Sequence, residues 1–280
     1  MEYVLKSIAV LVLGILINGC TQLADDKTFN GSHNNFNSTL WVQTSAEYRA
    51  NSLQTYNTAT RNLALTAKNS TGTAALEQTG RYTSLPPAVI LDIDETVLNN
   101  SQYDAELIMD NGEYNSDKWD QWVSLKQATA IPGAVHFIKY AKSIGVEVIF
   151  ITNRECKKRE GSKDTCPQQS DTIDNLEKVG IVDVSPANIL LQREQQDWSA
   201  EKESRRKFVA EKYRIVMLFG DDLGDFLPNV KNNITPEQRA SLVSEHAENW
   251  GSIWYILANP KYGSCLSILG STKSNYLKGY

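Results

Sequence analysis

Short apolar runs that alternate with helix-like stretches constrain the fold of this chain more than any other feature of its sequence. The apolar runs occupy residues 88–94, 146–151, 189–191, 215–219 and 253–258. The helix-like stretches between them occupy residues 133–143, 170–179 and 200–213. A short continuous apolar run is typical of a strand buried on both faces of a parallel sheet. The alternation predicts an α/β fold with a doubly wound parallel sheet and right-handed crossovers.

Two further regions predict a smaller helical subdomain beside the sheet. Residues 41–67 carry apolar side chains at three- and four-residue intervals, which is typical of a helix. Residues 101–130, which include Trp119 and Trp122, interrupt the alternation after the first predicted strand. Long interruptions of a compact domain are commonly functional. We expect the insertion and the N-terminal helix to form a cap that covers a site.

The N-terminus has the pattern of an export signal. Lys6 precedes an apolar run over residues 7–17, which is shorter than the about 20 residues that cross a bilayer. A basic start, a short apolar stretch and a small residue before a cleavage point are typical of a secretory signal peptide. We predict a signal peptide over residues 1–19, a flexible polar tether over residues 20–38 and a folded domain over residues 39–280.

The segment from Ile17 to Cys20 resembles a bacterial lipobox, in which the cysteine becomes the lipidated first residue of the mature protein. The alternative is a plain secretory signal with a chance cysteine. The resemblance implies a lipid anchor at Cys20, and Thr21 after it favours the outer membrane, facing either the periplasm or the cell surface.

Charge and cysteine content set further expectations. The net charge of −5 gives no general attraction to nucleic acid polymers, so phosphate must be captured locally. Cys156 and Cys166 flank a polar segment, and export makes a disulfide between them chemically available. A metal site there is less favoured, because the chain has three histidines and none lies beside these cysteines. We expect Cys265 to be a small buried residue.

Polar side chains follow the predicted strands at the points where they end. In an open α/β sheet, ligands bind beyond the carboxyl ends of the strands. The residues at these ends are Asp92, Asp94, Thr152, Asn153, Arg154, Asp221, Asp222 and Asp225. We expect them to converge on one crevice.

The first acidic pair indicates a cation. Side chains two positions apart in a strand share one side, so Asp92 and Asp94 can address one point. If Asp221 joins them, three carboxylates meet in a small volume, and their repulsion is costly without a counter-charge. An all-oxygen site suits Mg²⁺. A lone Asp-x-Asp is more often a strand end or turn, but a second acidic motif at another strand end disfavours that interpretation.

These motifs resemble a known family. Asp92–Thr96 is similar to the first signature of the haloacid dehalogenase superfamily, Thr152 to the second, Lys202 to the third and 221–225 to the fourth. The closer resemblance is to class C acid phosphatases, the bacterial outer-membrane lipoprotein e family of nucleotidases, and it covers residues 38–270. The segments that carry it are 41–49, 94–103, 131–134, 152–154, 220–226 and 257–263.

The resemblance implies roles for four residues. Asp92 is the nucleophile that forms an aspartyl-phosphate, and Asp94 is the general acid and then the general base. Thr152 donates its hydroxyl to a phosphoryl oxygen, and Lys202 supplies positive charge. Without the resemblance, Lys202 lies in a charged run that is typical of a solvated helix face.

The resemblance also implies the metal ligands. Mg²⁺ is expected on the Asp92 carboxylate, the Asp94 backbone carbonyl and Asp221, with Asp225, and with it Asp222, holding metal-bound waters. Because Asp94 must be protonated to act as an acid, we expect activity to be highest on the acid side of neutrality.

Several residues are candidates for contact with the substrate. Asn153 and Arg154 either touch it or pair locally. The aromatic candidates are Tyr103, Trp119, Trp122 and Tyr262. They either stack on a nucleobase or nicotinamide ring or pack in the core. The resemblance favours nucleoside monophosphates or nicotinamide mononucleotide as the small-molecule phosphomonoester.

Two rival interpretations remain. One is a non-catalytic surface lipoprotein that kept the fold as a binding module, and the other is a phosphotransferase of the same fold. Dehalogenation is disfavoured, because a departing halide needs no proton from a residue such as Asp94. A homodimer is implied by the family alone.

Overall fold

The computed structural model describes residues 33–280. The predicted signal peptide, Cys20 and most of the predicted tether therefore lie outside the described residues. The α-helices are α1 Phe36–Thr44, α2 Ala46–Lys68, α3 Ser101–Met109, α4 Ser116–Leu125, α5 Ala134–Ser143, α6 Pro167–Lys178, α7 Glu203–Ala210, α8 Pro236–Glu245 and α9 Ser264–Ser267. Short 3₁₀ helices span Pro186–Asn188, Leu223–Asp225, Ala247–Asn249 and Lys273–Tyr276.

The central sheet is parallel throughout its five strands. These five are β1 Pro87–Leu91, β4 Glu147–Glu155, β5 Ile189–Gln192, β6 Arg214–Gly220 and β7 Trp254–Ile256, and two further strands, β2 Leu98–Asn99 and β3 Thr129–Ala130, form a separate antiparallel pair. The order across the sheet is β5-β4-β1-β6-β7. The prediction of a parallel α/β sheet is confirmed. Because β1 lies in the middle, the residues that follow it emerge at the centre of the sheet's carboxyl edge.

Strand β1 divides its side chains between two cores. Val89 and Leu91 point into one cluster with the apolar faces of α2, α5 and α6. Ala88 and Ile90 point to the other side, where Val209 of α7 contributes. All four residues are buried. This division follows from the two-residue repeat of a strand, and it explains why the run is continuously apolar.

The predicted N-terminal helix is two helices. Ser45 has an extended backbone, and its hydroxyl accepts from the Tyr48 N–H at 3.0 Å, so it ends α1 and caps α2. Helix α1 begins at Phe36, so the end of the tether predicted over residues 20–38 is helical instead. The reason is tertiary, because α1 packs against α3 of the insertion.

The insertion after β1 covers the carboxyl edge of the sheet on one side. A short antiparallel pair closes its base, with Leu98 opposite Ala130. Helix α4 packs against α6, which fastens the insertion to the core. Among the helices of residues 33–280, none is long and apolar enough to cross a membrane.

The cysteines have different surroundings. Cys156 and Cys166 form a disulfide, with their Cα atoms 4.8 Å apart. Cys265 is exposed on the short helix α9, so the expectation that it is buried is wrong. It lies in the C-terminal segment after the last strand, where the chain packs against the surface and encloses little apolar volume.

Candidate active site

Asp92 lies one residue beyond the central strand β1. Its N–H donates to the carbonyl of Phe219 at 3.0 Å, which continues the pairing with β6. The chain then turns sharply, because the N–H groups of Val97 and Leu98 both donate to the Ile93 carbonyl at 2.8 Å. This turn places Asp92 and Asp94 at the same edge of the sheet. The Asp92 side chain is buried.

Lys202 joins two of the predicted acidic residues. Its ammonium group bonds to Asp92 and, at 2.6 Å, to Asp225 Oδ1. All three side chains are buried, and Lys202 is 4% exposed. The structure therefore does not place Lys202 on a solvated helix face.

Two arginines of the same charged run are also buried. Arg205 donates to the Thr152 carbonyl at 2.5 Å and to Asn153 Oδ1 at 2.7 Å. Arg206 donates to the Asp225 carbonyl at 2.9 Å and pairs with Glu77. The start of α7 thus holds the ends of β4 and β6 in place. Sequence reasoning missed both arginines, because a charged run carries no sign of which members are buried.

The Asp94 carboxylate is paired with the guanidinium group of Arg154. Arg154 donates to it from Nη2 at 2.8 Å and from Nε at 3.1 Å. Asn100 Nδ2 donates to Oδ1 at 2.9 Å, and the Thr152 hydroxyl donates to Oδ2 at 3.4 Å. Arg154 thus supplies the counter-charge for the Asp94 carboxylate, and the expectation that this carboxylate meets those of Asp92 and Asp221 at one point stays a prediction.

Asp221 lies directly after β6 and is held from two sides. Asn259 Nδ2 donates to its Oδ2 at 2.8 Å, and the Thr96 hydroxyl donates to Oδ1 at 3.3 Å. Asp222 caps the following 3₁₀ turn and accepts from Ser264 at 2.6 and 2.7 Å. The Asp222 carboxylate is thus already engaged by backbone and hydroxyl donors, away from the other acids.

The buried acids influence one another electrostatically. Burial raises the pKa of Asp92 to about 7, with Asp225 and Asp94 adding to the rise and Lys202 opposing it. Burial, with Asp92 and Asp225, raises the pKa of Asp221 well above its usual range. More negative charge meets here than Lys202 can neutralise, and a divalent cation would relieve the excess.

The donor set fits Mg²⁺ bound by few side chains. Within residues 33–280, no three His, Cys, Asp or Glu side chains are arranged as a ready metal cluster. The predicted Mg²⁺ site needs fewer side chains than such a cluster. Its ligands are the carboxylates of Asp92 and Asp221 and the backbone carbonyl of Asp94. Mg²⁺ commonly uses one or two carboxylates and keeps several waters.

Asn153 and Arg154 form local pairs in the structure. Arg154 is buried, and its remaining donor reaches the Thr172 hydroxyl at 3.0 Å. Asn153 donates to the Ala200 carbonyl at 3.1 Å and accepts from Arg205. Both nevertheless line a cavity of about 230 Å³ between α4 and the ends of β4 and β5.

The four aromatic candidates are not gathered in one slot. Tyr103 is buried edge-to-face against Trp119, with ring centres 5.1 Å apart. The Trp122 indole donates to Asn100 Oδ1 at 2.8 Å and is buried. Trp119 lines the cavity with Tyr114, which sequence reasoning missed. Tyr262 is 38% exposed on the loop after β7.

Two asparagines at the site were also not predicted from the sequence. Asn259 holds Asp221, and Asn100 holds Asp94. Asn259 directly follows the last apolar run, so the strand-end rule could have found it. Asn100 follows a two-residue strand that leaves no periodic signal.

Comparisons with known proteins identify the family and the fold. The family model described as HAD superfamily, subfamily IIIB (acid phosphatase) matches residues 20–265. A class C acid phosphatase structure from Bacillus anthracis is 32% identical, with a TM-score of 0.70 over 87% of this chain and 96% of that one. The same protein with tungstate bound gives a TM-score of 0.71 at the same identity and coverage.

Two plant relatives are more distant. The stem 28 kDa and stem 31 kDa glycoproteins of Glycine max are each 28% identical over 144 residues, which is 49% of this chain. The matched regions cover 52% and 45% of those proteins, so the chain spans about half the length of the curated relatives it matches.

Proposed function

Because this chain belongs to the HAD superfamily, subfamily IIIB, the acid phosphatases, we propose that it hydrolyses phosphate monoesters through Asp92. One observation carries the proposal. Asp92 is buried at the carboxyl end of the central strand, directly bonded by Lys202, with Asp94 held beside it by Arg154. A nucleophile, a cation and a second, separately held carboxyl group are what acyl-phosphate chemistry needs.

The reaction takes place in two displacements. An Asp92 oxygen attacks phosphorus, the bond from phosphorus to the leaving oxygen breaks, and Asp94 gives that oxygen its proton. Water then attacks the aspartyl-phosphate, Asp94 takes a proton from the water, and inorganic phosphate leaves with Asp92 restored. Lys202 and the Thr152 hydroxyl stabilise charge on the transferred group.

Mg²⁺ is the cofactor we assign to this chemistry. The Asp92 carboxylate, the Asp94 backbone carbonyl and Asp221 would hold it, with Asp225 near its waters. When bound, Mg²⁺ neutralises the repulsion between an anionic nucleophile and an anionic substrate. The raised pKa values of Asp92 and Asp221 support this assignment, because burial and the neighbouring acids both disfavour the charged carboxylates, which a bound cation would stabilise.

Nucleoside monophosphates or nicotinamide mononucleotide are the substrates we propose. The cavity of about 230 Å³ beside Arg154 supports this, since Trp119 and Tyr114 offer aromatic surface to a planar ring. We further propose that Cys20 anchors the protein by lipid to the outer membrane, so that hydrolysis takes place outside the inner membrane.

The test measures phosphate release by the full-length chain in mild detergent. Nicotinamide mononucleotide, adenosine monophosphate and an aryl phosphate are compared, with Mg²⁺ and then with excess chelator. We expect release that requires Mg²⁺ and that falls by at least about 10³-fold in Asp92→Asn. Glu211→Gln, which changes an exposed acid, is the control. A folded wild-type protein that releases no phosphate from any ester would overturn the proposal.

A further inference from the structure

Three buried charges lie behind the acids of the site. Lys261 bonds to Glu95 Oε2 at 2.9 Å and to Asp104 Oδ2 at 2.5 Å. Their exposed fractions are 1% for Lys261, 1% for Glu95 and 5% for Asp104. The three residues come from the loop after β7, the loop after β1 and helix α3. One ammonium group between two carboxylates therefore joins three segments that are distant in sequence.

Hydrogen bonds through Asn259 connect this cluster to Asp221. The backbone N–H of Lys261 donates to Asn259 Oδ1 at 3.1 Å. An amide side chain accepts at one end and donates at the other, so its NH₂ group must then face away from that N–H. It faces Asp221 and donates to Oδ2 at 2.8 Å. The position of Lys261 thus determines which end of Asn259 Asp221 meets.

Hydrogen bonds through Asn100 connect the same cluster to Asp94. Glu95 Oε1 accepts the Asn100 N–H at 3.0 Å, and Asn100 Nδ2 donates to Asp94 Oδ1 at 2.9 Å. The Trp122 indole, which can only donate, occupies the Asn100 oxygen at 2.8 Å and fixes that amide as well. Glu95 has a φ of 62°, which a residue other than glycine keeps only when its contacts hold it.

We infer that Lys261 is a positioning residue that holds Asp94 and Asp221 in place relative to each other. The inference rests on the proposed function, in which Asp94 is the acid and Asp221 a Mg²⁺ ligand. Without the ammonium group, Glu95 and Asp104 would face each other buried and without a counter-charge. The loop after β7 would then separate from α3, Asn259 would lose its orientation, and Asn100 would lose the support of Glu95.

The test uses Lys261→Met in the full-length protein with two readouts. Mg²⁺ affinity, measured by calorimetry without substrate, should fall about tenfold, because residues behind metal ligands typically contribute that much. The kcat ratio of an alkyl phosphate to p-nitrophenyl phosphate should also fall about tenfold, since nitrophenolate leaves without a proton and an alkoxide needs one from Asp94.

Arg214→Met is the matched control. It also removes a buried cation, but one at the opposite end of β6. We expect it to lower stability and to leave Mg²⁺ affinity and the kcat ratio unchanged. If Lys261→Met does not fold, Lys261→Met with Asp104→Asn is measured instead, because it removes one of the two facing carboxylates and with it their mutual repulsion.

The outcomes separate the two proposals. Losses of both Mg²⁺ affinity and the kcat ratio that Arg214→Met does not share support the positioning role. Lower stability with both readouts unchanged overturns it and leaves the phosphatase intact. If the wild-type protein binds Mg²⁺ but hydrolyses no ester, the proposed function is overturned. The Mg²⁺ affinities of Lys261→Met and Arg214→Met then decide the role of Lys261. A wild-type protein that binds no Mg²⁺ overturns both.

Discussion

The two ends of the central sheet bury positive side chains in opposite ways. At the carboxyl end, Lys202 lies between the carboxylates of Asp92 and Asp225. At the other end, Arg214 donates to backbone carbonyls where α2 ends, with Ala67 at 2.5 Å and Asn69 at 2.7 Å. Both cations are buried.

The difference lies in what the partners can do. Carbonyl groups at a helix C-terminus need donors and attract positive charge, so Arg214 satisfies them without placing like charges together. The carboxylates around Lys202 repel one another. Repulsion between buried carboxylates does not stabilise the folded protein. Such an arrangement is typical of an active site.

The largest expected effect is the loss of activity in Lys202→Met. In the proposed mechanism Lys202 neutralises Asp92 and the transferred phosphoryl group, so its removal should lower kcat/KM by about 10³-fold. The measurement is steady-state hydrolysis of an aryl phosphate with saturating Mg²⁺. Activity within tenfold of the wild type, in a protein shown to bind Mg²⁺, would contradict this prediction. It would show that catalysis at the carboxyl end of the sheet does not need the positive charge of Lys202, so that Lys202, like Arg214, would have only a structural role.

The second prediction concerns pH and the stability of the protein without Mg²⁺. Burial raises the pKa of Asp92 from 3.8 to about 7, and the pKa of Asp221 is also raised, so the folded state binds protons more tightly than the unfolded state. An acid with a raised pKa contributes stability below its unfolded value and loses it as pH rises through the folded value. Between pH 4 and 8, the free energy of unfolding should fall by roughly 2–4 kcal/mol.

The measurement is urea unfolding at several pH values after chelation of metals. Asp92→Asn should flatten the decline, because an amide does not titrate, and saturating Mg²⁺ should flatten it too. Stability that instead rises between pH 5 and 8 would show that the site acids are not the dominant titrating groups. Arg214→Met should shift the whole curve down without changing its slope.

Much of the fold follows from sequence patterns, and much of the site does not. Five of the strands could be predicted, since each is a continuous apolar run between two cores. The break at Ser45 could not, because α1 is set by its contact with α3 and not by its own periodicity. Asp92 and Asp221 could be located by their positions at strand ends.

The partners of these acids are harder to predict, because they are distant in sequence. Asp94 meets Arg154 at a separation of 60 residues, and Lys261 meets Asp104 at 157. Neither pair has a local pattern. A sequence shows which residues can carry charge, whereas burial and pairing depend on how the loops meet above the sheet.

The third prediction is the stability cost of Arg214→Met. Its loss leaves the carbonyls of Ala67 and Asn69 without this donor, which costs about 1–3 kcal/mol for each group and so roughly 2–6 kcal/mol for the two. The measurement is the urea midpoint at constant pH. Activity corrected for the folded fraction should stay within twofold of the wild type. A selective loss of kcat would contradict a purely structural role for this end of the sheet.

The smallest expected effect comes from the same charged run that holds Lys202. Lys207 lies five residues further along α7, is exposed, and pairs with Glu203 one helical turn away. Exposed pairs of this spacing contribute little to stability, so Lys207→Met should leave both the free energy of unfolding and kcat/KM nearly unchanged. Measured beside Lys202→Met, it compares two lysines of equal charge, one in α7 and one that directly precedes it. If the two variants lose activity equally, net charge near α7 governs catalysis. If only Lys202→Met does, burial against Asp92 gives that one lysine its role.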